Sequence, residues 1–419
     1  MNELKSILNL YQFKGYDVSS ITRHVLTVFK LGKTHQSIFK VIGETLYICL
    51  INRTKYVLKK NYSEKVILCF TFISNKRKDF QTLFENVINT IDKKNILCEK
   101  KTFIFDYYVL HNFLCLFIWL LQLRTYSIPL KDKLIIIRKL LEILRLKRFL
   151  AKNAKKISNV SALLVFNDSL PSGNYLVQFF KKKGIKTATL QHGIILAPRN
   201  GVSNVDFVGL ELLNSNSDYF LAWNNFTREE ALEAGLSDEK VKVLGITKCI
   251  NLENRIINNT ESNVFGVVLD GEFTAENNPI LISIAKELAE KLDMRFILRI
   301  HPRMDINRYN SLLNDTRYFA GYSDKKDNIF TYMTQVNFSI IANSTVYIEM
   351  IYVYHKVFRY SNGSIIDKYK KIEWGRFSNS DELYAKIKFS ETDEQQHLFN
   401  ELVTVSDIKK SYSVFFEDF

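Results

Sequence analysis

Two histidines stand at the ends of apolar, β-type runs, where an imidazole can move a proton or meet a phosphate. Residues 186–193 read Lys-Thr-Ala-Thr-Leu-Gln-His-Gly. In an α/β sheet such a run delivers His192 to the carboxyl edge of a strand, where side chains leave the core and face ligands. Gln191 precedes it, and Gly193 lets backbone or substrate approach closely. A second run, Arg295 to Ile300, delivers His301 in the same way, with Pro302 fixing the turn behind it. A neutral His192 can take a proton from an attacking hydroxyl. His301 and Arg303 can both donate to a phosphate or a departing nucleotide. Asp168, closing the run Ala162 to Phe166, is placed to orient His192 or an acceptor.

A second set suits phosphate and sugar. Ser344 and Thr345 open a helix, where free N–H groups and the helix dipole favour an anion. Glu349, four residues beyond Thr345, shares their side of that helix and can reach ribose hydroxyls. Asp270, Gly271 and Glu272 end the first strand of the second half and can turn backbone amides toward a diphosphate. Plainer readings stand beside these: ordinary helix caps, a tight strand-to-helix connection, histidines satisfied in a core, and a solvent-facing helix carboxylate.

The elements that must position these residues alternate. Strands are expected at 65–72, 102–105, 162–166, 186–190, 219–223 and 240–244, and again at 264–269, 295–300, near 318, at 338–342 and at 357–360. Helical patterns lie between them, the signature of parallel sheets covered by helices. Residues 1–62 look helical and irregular, with a basic run near Arg53 to Lys60. The stretch 194–216, which carries Arg199, has few regular features, and a loop of that length beside a site is more often functional than idle. The polar segment 251–263 reads as a linker. With 419 residues, two domains are expected, 1–255 and 256–419.

The net charge of +14 calls for an anionic partner. Between Lys131 and Lys156 ten basic residues meet only Asp132 and Glu142. Upstream, Tyr107 to Leu123 is strongly apolar, yet too short and too interrupted by His111, Asn112 and Gln122 to span a bilayer well. Together, residues 107–156 suggest an apolar helix beside a basic amphipathic one resting on an anionic membrane surface, against the plainer reading of a core helix followed by a solvated one. No nucleic-acid recognition signature accompanies the charge. The five cysteines show no zinc or CxxC spacing, which suggests a reduced cytosolic protein. No signal-peptide pattern opens the chain, so a cytoplasmic location, peripheral on the inner face of the membrane, is expected. No metal motif such as DxD is present, and no cofactor is expected.

Gln191-His192-Gly193, His301-Pro302 and Ser344-Thr345 with Glu349, in that order over about residues 160–365, resemble bacterial GT-B transferases that build surface polymers. The pattern is similar to the CDP-glycerol glycerophosphotransferases and to bacterial sialyl- and polysialyltransferases. The resemblance implies two Rossmann-like domains facing a central cleft. The second domain would hold the nucleotide through Asp270, Gly271, Glu272, His301, Pro302, Arg303, Ser344, Thr345 and Glu349. In the first, His192 would be the base, with Gln191, Gly193 and Arg199 on the acceptor side. It implies an inverting, metal-independent glycosyltransferase that passes a nucleotide-activated sugar, of CMP/CDP or UDP type, to a polysaccharide or lipid-linked acceptor in capsule or lipopolysaccharide synthesis. Alternatives are a CDP-alditol or phosphosugar phosphotransferase, a nucleotide-sugar 2-epimerase-like enzyme, and a noncatalytic scaffold.

Overall fold

In the computed structural model, the described residues are 10–30, 37–58, 65–72, 78–197, 212, 214–250, 262–271, 275–301, 304–314, 317–323, 328–363, 367–373, 375–389, 397–400, 402–405 and 407–419. The expected site residues Arg199, Glu272, Pro302 and Arg303 lie outside them, as does most of the expected linker. The chain divides into two compact units. One comprises Met1–Ala222, Thr227–Thr247 and Lys409–Phe419, and the other Trp223–Phe226 and Lys248–Ile408. A linear division at 255/256 does not contain this return, in which the last segment joins the first unit.

The first unit opens with helices α1 (Val18–Lys30) and α2 (Ile38–Leu50), followed by β1 (Ile51–Leu58) and β2 (Val66–Phe72). Then come α3 (Lys78–Ile88), β3 (Lys94–Phe105), α4 (Val109–Leu123), α5 (Leu130–Lys152) and β4 (Val160–Val165). It continues with α6 (Pro171–Lys181), β5 (Lys186–Leu190), β6 (Tyr219–Ala222), α7 (Asn225–Glu233) and β7 (Val241–Val243). The sheet runs β1-β3-β2-β4-β5-β6-β7 and is parallel throughout except for β1, antiparallel on the edge. The chain starts this parallel sheet in its middle, at β2, and builds outward on both sides. That order creates a switch point between β2 and β4. Buried on both faces, the parallel strands need near-continuous apolar runs, which Val66 to Phe70 and Ala162 to Val165 supply.

Helix α5 is where the sequence reading gives way. Its eleven buried residues run from Leu134 to Leu150 and are spread around the helix, so its middle is an inner element and not a simple amphipathic surface helix. Three of its cations are engaged by neighbours within the unit. Arg145 pairs with Asp106 at 2.8 Å, Arg138 pairs with Glu44, and Arg148 stacks over Tyr108 at 4.3 Å. The cations that stay accessible lie toward its ends, at Lys131, Lys133 and Lys152. The early region is also more regular than expected: the basic run near residue 53 is edge strand β1, and β3 starts at Lys94 instead of Thr102.

The second unit holds β8 (Val264–Val268), α8 (Asn278–Leu292), β9 (Arg295–Arg299), β10 (Phe319–Tyr322) and α9 (Ile329–Met333). After these come β11 (Ser339–Ile341), α10 (Val346–Tyr352), β12 (Val357–Tyr360), β13 (Arg376–Phe377) and α11 (Ser380–Phe389). The last helix, α12 (Ile408–Glu417), returns almost entirely to the first unit. The six strands run β10-β9-β8-β11-β12-β13, all parallel, with the switch point between β8 and β11. Phe265 of β8 and Phe338, the residue before β11, stack with their rings 5.1 Å apart.

Candidate functional site

In the first unit the ends of β4 and β5 bring together Asn167, Asp168 and His192. The His192 ring lies between Phe166, at 4.9 Å, and Phe80, at 5.3 Å. Its Nε2 is 3.4 Å from Asn167 Nδ2, a long contact in which the imidazole nitrogen accepts. Asp168 does not orient His192. Its buried Oδ2 accepts from the backbone N–H groups of Asn216, at 2.9 Å, and Ser217, at 2.8 Å. Burial nevertheless raises its carboxyl above the usual range. Asp168 thus anchors the segment that leads into β6.

Gln191, expected on the acceptor side, is fully buried. Its amide donates to Gly193 O at 2.8 Å and to Thr227 Oγ1 at 3.0 Å, which braces the turn that presents His192. A Cβ added at Gly193 would meet nothing within 4 Å, so open space adjoins this turn. Gly173, by contrast, is obligatory: its Cβ would fall 2.2 Å from Asn167 O. Only glycine lets the first turn of α6 close on the strand end that carries Asn167.

In the second unit the strand ends flank the switch point between β8 and β11. Asp270 is held from both sides. Asn278, at the start of α8, exchanges two hydrogen bonds with its backbone at 2.8 and 3.0 Å, and its own Oδ1 accepts from Asn343 N at 2.8 Å. This last bond ties the two strand ends together. Gly271 leaves room for the His301 ring, which a Cβ there would meet at 3.3–3.5 Å. The turns after β8 and β9 thereby bring an imidazole against a bare backbone. Asn343 Oδ1 accepts from Lys368 N, and burial lowers the Lys368 ammonium against the opposing pull of Asp270.

Ser344 and Thr345 precede α10, both partly exposed. Thr345 makes no side-chain capping bond. Tyr369 OH donates to Ser344 O at 2.8 Å, fixing that turn. Tyr369 is itself set by Asp367, which takes both oxygens to Arg359 Nη1 at 2.8 Å in a buried pair. Glu349, expected to face ribose hydroxyls, is only 3 % exposed, and Lys248 meets its Oε1 at 2.5 Å. In the second unit, then, Asp270, Gly271, His301, Ser344 and Thr345 share one sheet edge, with Glu349 buried in an ion pair with Lys248.

Residue-type reasoning missed Asn167, Lys248 and Lys368. Asn167 was visible as the neighbour of Asp168. The two lysines reach the site only through tertiary packing.

No family model and no curated protein sequence matches the chain. Solved structures do. A putative UDP-N-acetylglucosamine 2-epimerase from Listeria monocytogenes is similar at 10 % identity with a TM-score of 0.51, over 84 % of this chain and 95 % of that one. UDP-GlcNAc 2-epimerase from Neisseria meningitidis, bound to UDP-GlcNAc, is similar at 15 % identity and a TM-score of 0.46, over 84 % and 99 %. A GtfA/B complex matches at 10 % identity and a TM-score of 0.45, over 65 % and 60 %. The fold is α/β, as the alternation of strands and helices implies, and of the GT-B kind with two Rossmann-like domains, as the motif resemblance implies.

Proposed function

We propose that the chain is an enzyme acting on a nucleotide-activated sugar, with the nucleotide held at the carboxyl edge of the second sheet. The supporting observation is the convergence on the β8/β11 switch point of Gly271 against His301, Asn343 bonded to Asp270, and the partly exposed hydroxyls of Ser344 and Thr345. Crevices at such switch points are where open α/β sheets take ligands. In this reading Ser344, Thr345 and His301 donate to the diphosphate, and Glu349, tied to Lys248, secures the helix below.

The reaction is inverting glycosyl transfer. An acceptor hydroxyl attacks the anomeric carbon, the bond from that carbon to the phosphate oxygen breaks, and His192 takes the hydroxyl proton and returns it to solvent. His301 offsets the charge on the leaving phosphate. A second reading, 2-epimerisation of a nucleotide sugar without an acceptor, is favoured by the Listeria neighbour, whose fold this chain shares. The polymer served, and a phosphoryl in place of a glycosyl transfer, belong to the same proposal.

A melting-temperature screen against CMP, CDP, UDP and GDP tests the donor site, where one nucleotide should raise the melting temperature and Ser344→Ala/Thr345→Ala should abolish the rise. Mass spectrometry of the products separates the reactions. A sugar added without phosphate means glycosyl transfer, a phosphodiester means phosphoryl transfer, and turnover of the nucleotide sugar alone means epimerisation or hydrolysis. No response to any nucleotide would sink the reading.

A further inference from the structure

Helix α4 has no charged residue and is apolar on both sides. One side, with Cys115, Leu116, Trp119 and Leu123, is buried. The other presents Leu110, Leu114, Phe117 and Leu121 to solvent, Leu110 at 87 % and Phe117 at 62 %. These positions follow i, i+4, i+7 and i+11, a single stripe about 16 Å long. Helix α2 repeats the spacing with Phe39, Gly43, Leu46 and Leu50, of which Phe39 is 81 % exposed.

The two helices lie side by side. Near one end Asn112 of α4 donates to Cys49 O of α2 at 3.1 Å. Near the other, Leu120 of α4 packs with Val41 of α2 and with Leu134 and Ile135 of α5. The helices are therefore antiparallel neighbours on helix α5. Their shared end meets the ribbon that β3 forms with β1 beyond Glu99, where Ile51 pairs Phe105. Phe103, Phe105, Tyr107 and Tyr108 are all exposed there, Tyr107 at 92 %. A continuous apolar plate of this kind on a soluble surface marks an interaction site.

Charge decides what covers it. Exposed cations stand at both ends: Lys55 and Lys100, cross-strand partners in the ribbon, and Lys40 and Arg124 at the far end. Among the described residues of α2 and α4 the only carboxylate is Glu44, which is paired with Arg138. A second copy of this chain, docked through a two-fold interface, would bring like cations together. An anionic leaflet instead neutralises them while the apolar stripes enter the headgroup boundary, with tyrosines at the level they favour. We propose that α2, α4 and the β1/β3 ribbon form a docking plate for an anionic phospholipid bilayer, against which the protein lies without crossing it. No described helix is long and apolar enough to cross.

The test uses the full chain with vesicles of equimolar phosphatidylglycerol and phosphatidylcholine, and with vesicles of phosphatidylcholine alone. The wild type should co-sediment with the anionic vesicles and less with the neutral ones, and added salt should weaken binding. Leu114→Ser/Phe117→Ser should reduce the partition coefficient about tenfold or more, and Phe39→Ser should lower it independently. These side chains are exposed, so an unchanged circular dichroism spectrum and melting temperature should confirm that the fold is kept. Wild type left in the supernatant with anionic vesicles would overturn the proposal. So would a double variant that binds as well as the wild type, or a wild-type dimer that the double variant dissociates while neither binds vesicles; the last outcome would assign the plate to a second copy.

Discussion

Asn167, and not its neighbour Asp168, meets His192: Asn167 Nδ2 lies 3.4 Å from His192 Nε2, while the Asp168 carboxylate turns to the backbone of residues 216 and 217. Adjacent residues at one strand end thus divide orientation of the imidazole from anchorage of the next segment. His192→Ala should lower kcat by about 100-fold or more while leaving the nucleotide-induced rise in melting temperature intact. Asn167→Ala should lower kcat by about tenfold and move the acid limb of the pH–rate profile, where a general base is lost to protonation. Asp168→Asn should act on stability instead, costing about 2 kcal/mol through weakened charge-assisted bonds with kcat near that of the wild type. If Asp168→Asn shifted the pH profile and Asn167→Ala did not, the division would be reversed.

Lys248 and Glu349 form the other pair with separable consequences. The Glu349 carboxylate is buried and Lys248 meets it at 2.5 Å. Removing the cation alone leaves a buried charge without its counter-ion, which costs about 3 to 5 kcal/mol. Lys248→Met should therefore lower the midpoint of urea unfolding markedly, and Lys248→Met/Glu349→Gln should recover most of the loss. Should the single and double variants unfold at the same urea concentration, the pair has no bearing on the second unit's stability.

The strand ends were legible in the sequence because local chemistry wrote them. The runs before His192 and His301 are short, β-branched and bounded by glycine or proline, and β5, β9 and β12 fall at or within a residue of where they were expected. What the sequence hides is direction. Basic residues of α5 read as a surface face, yet Arg145 is buried against Asp106, and nothing local announces that partner, 39 residues away. Glu349 likewise looked like a ribose ligand until Lys248, 101 residues distant, claimed it. Gln191 has the right neighbour for a site residue, and its amide is spent on Thr227 and Gly193 O. The apolar stripes of α2 and α4 became a plate only when packing set the two helices side by side.

Gly173 links the fold to the site. Its missing Cβ is what allows Asn167 O to approach, at 2.2 Å from where that carbon would be. Backbone cannot yield as a flexible side chain does, so Gly173→Ala must push α6 away from the end of β4. The expected cost is about 3 kcal/mol, within the range of severe overpacking. Because the displaced residue is Asn167, the variant that remains folded should also lose kcat, in the same direction as Asn167→Ala. Crystallography or amide exchange at residues 166–170 would locate the disturbance; an alanine variant of wild-type stability would show that the approach is not tight.

His355 makes the second unit sensitive to acid. Its ring is buried, Nε2 lies 2.9 Å from Ser339 Oγ, and burial lowers its pKa from 6.5 to about 4. An unfolded chain takes up a proton at this histidine near pH 6.5, whereas the folded one resists until about pH 4. Between those values the unfolded state binds more protons, so stability must fall as pH falls. The contribution is fully present above pH 6.5 and its loss is complete near pH 4, amounting to about 3 kcal/mol over the window. His355→Gln keeps a hydrogen-bonding partner for Ser339 and carries no titration. Urea unfolding of the wild type at pH 7.5 and 5 should show a steeper loss than the Gln variant does across the same interval. Parallel losses in the two proteins would place the acid sensitivity on other groups and remove His355 from the account.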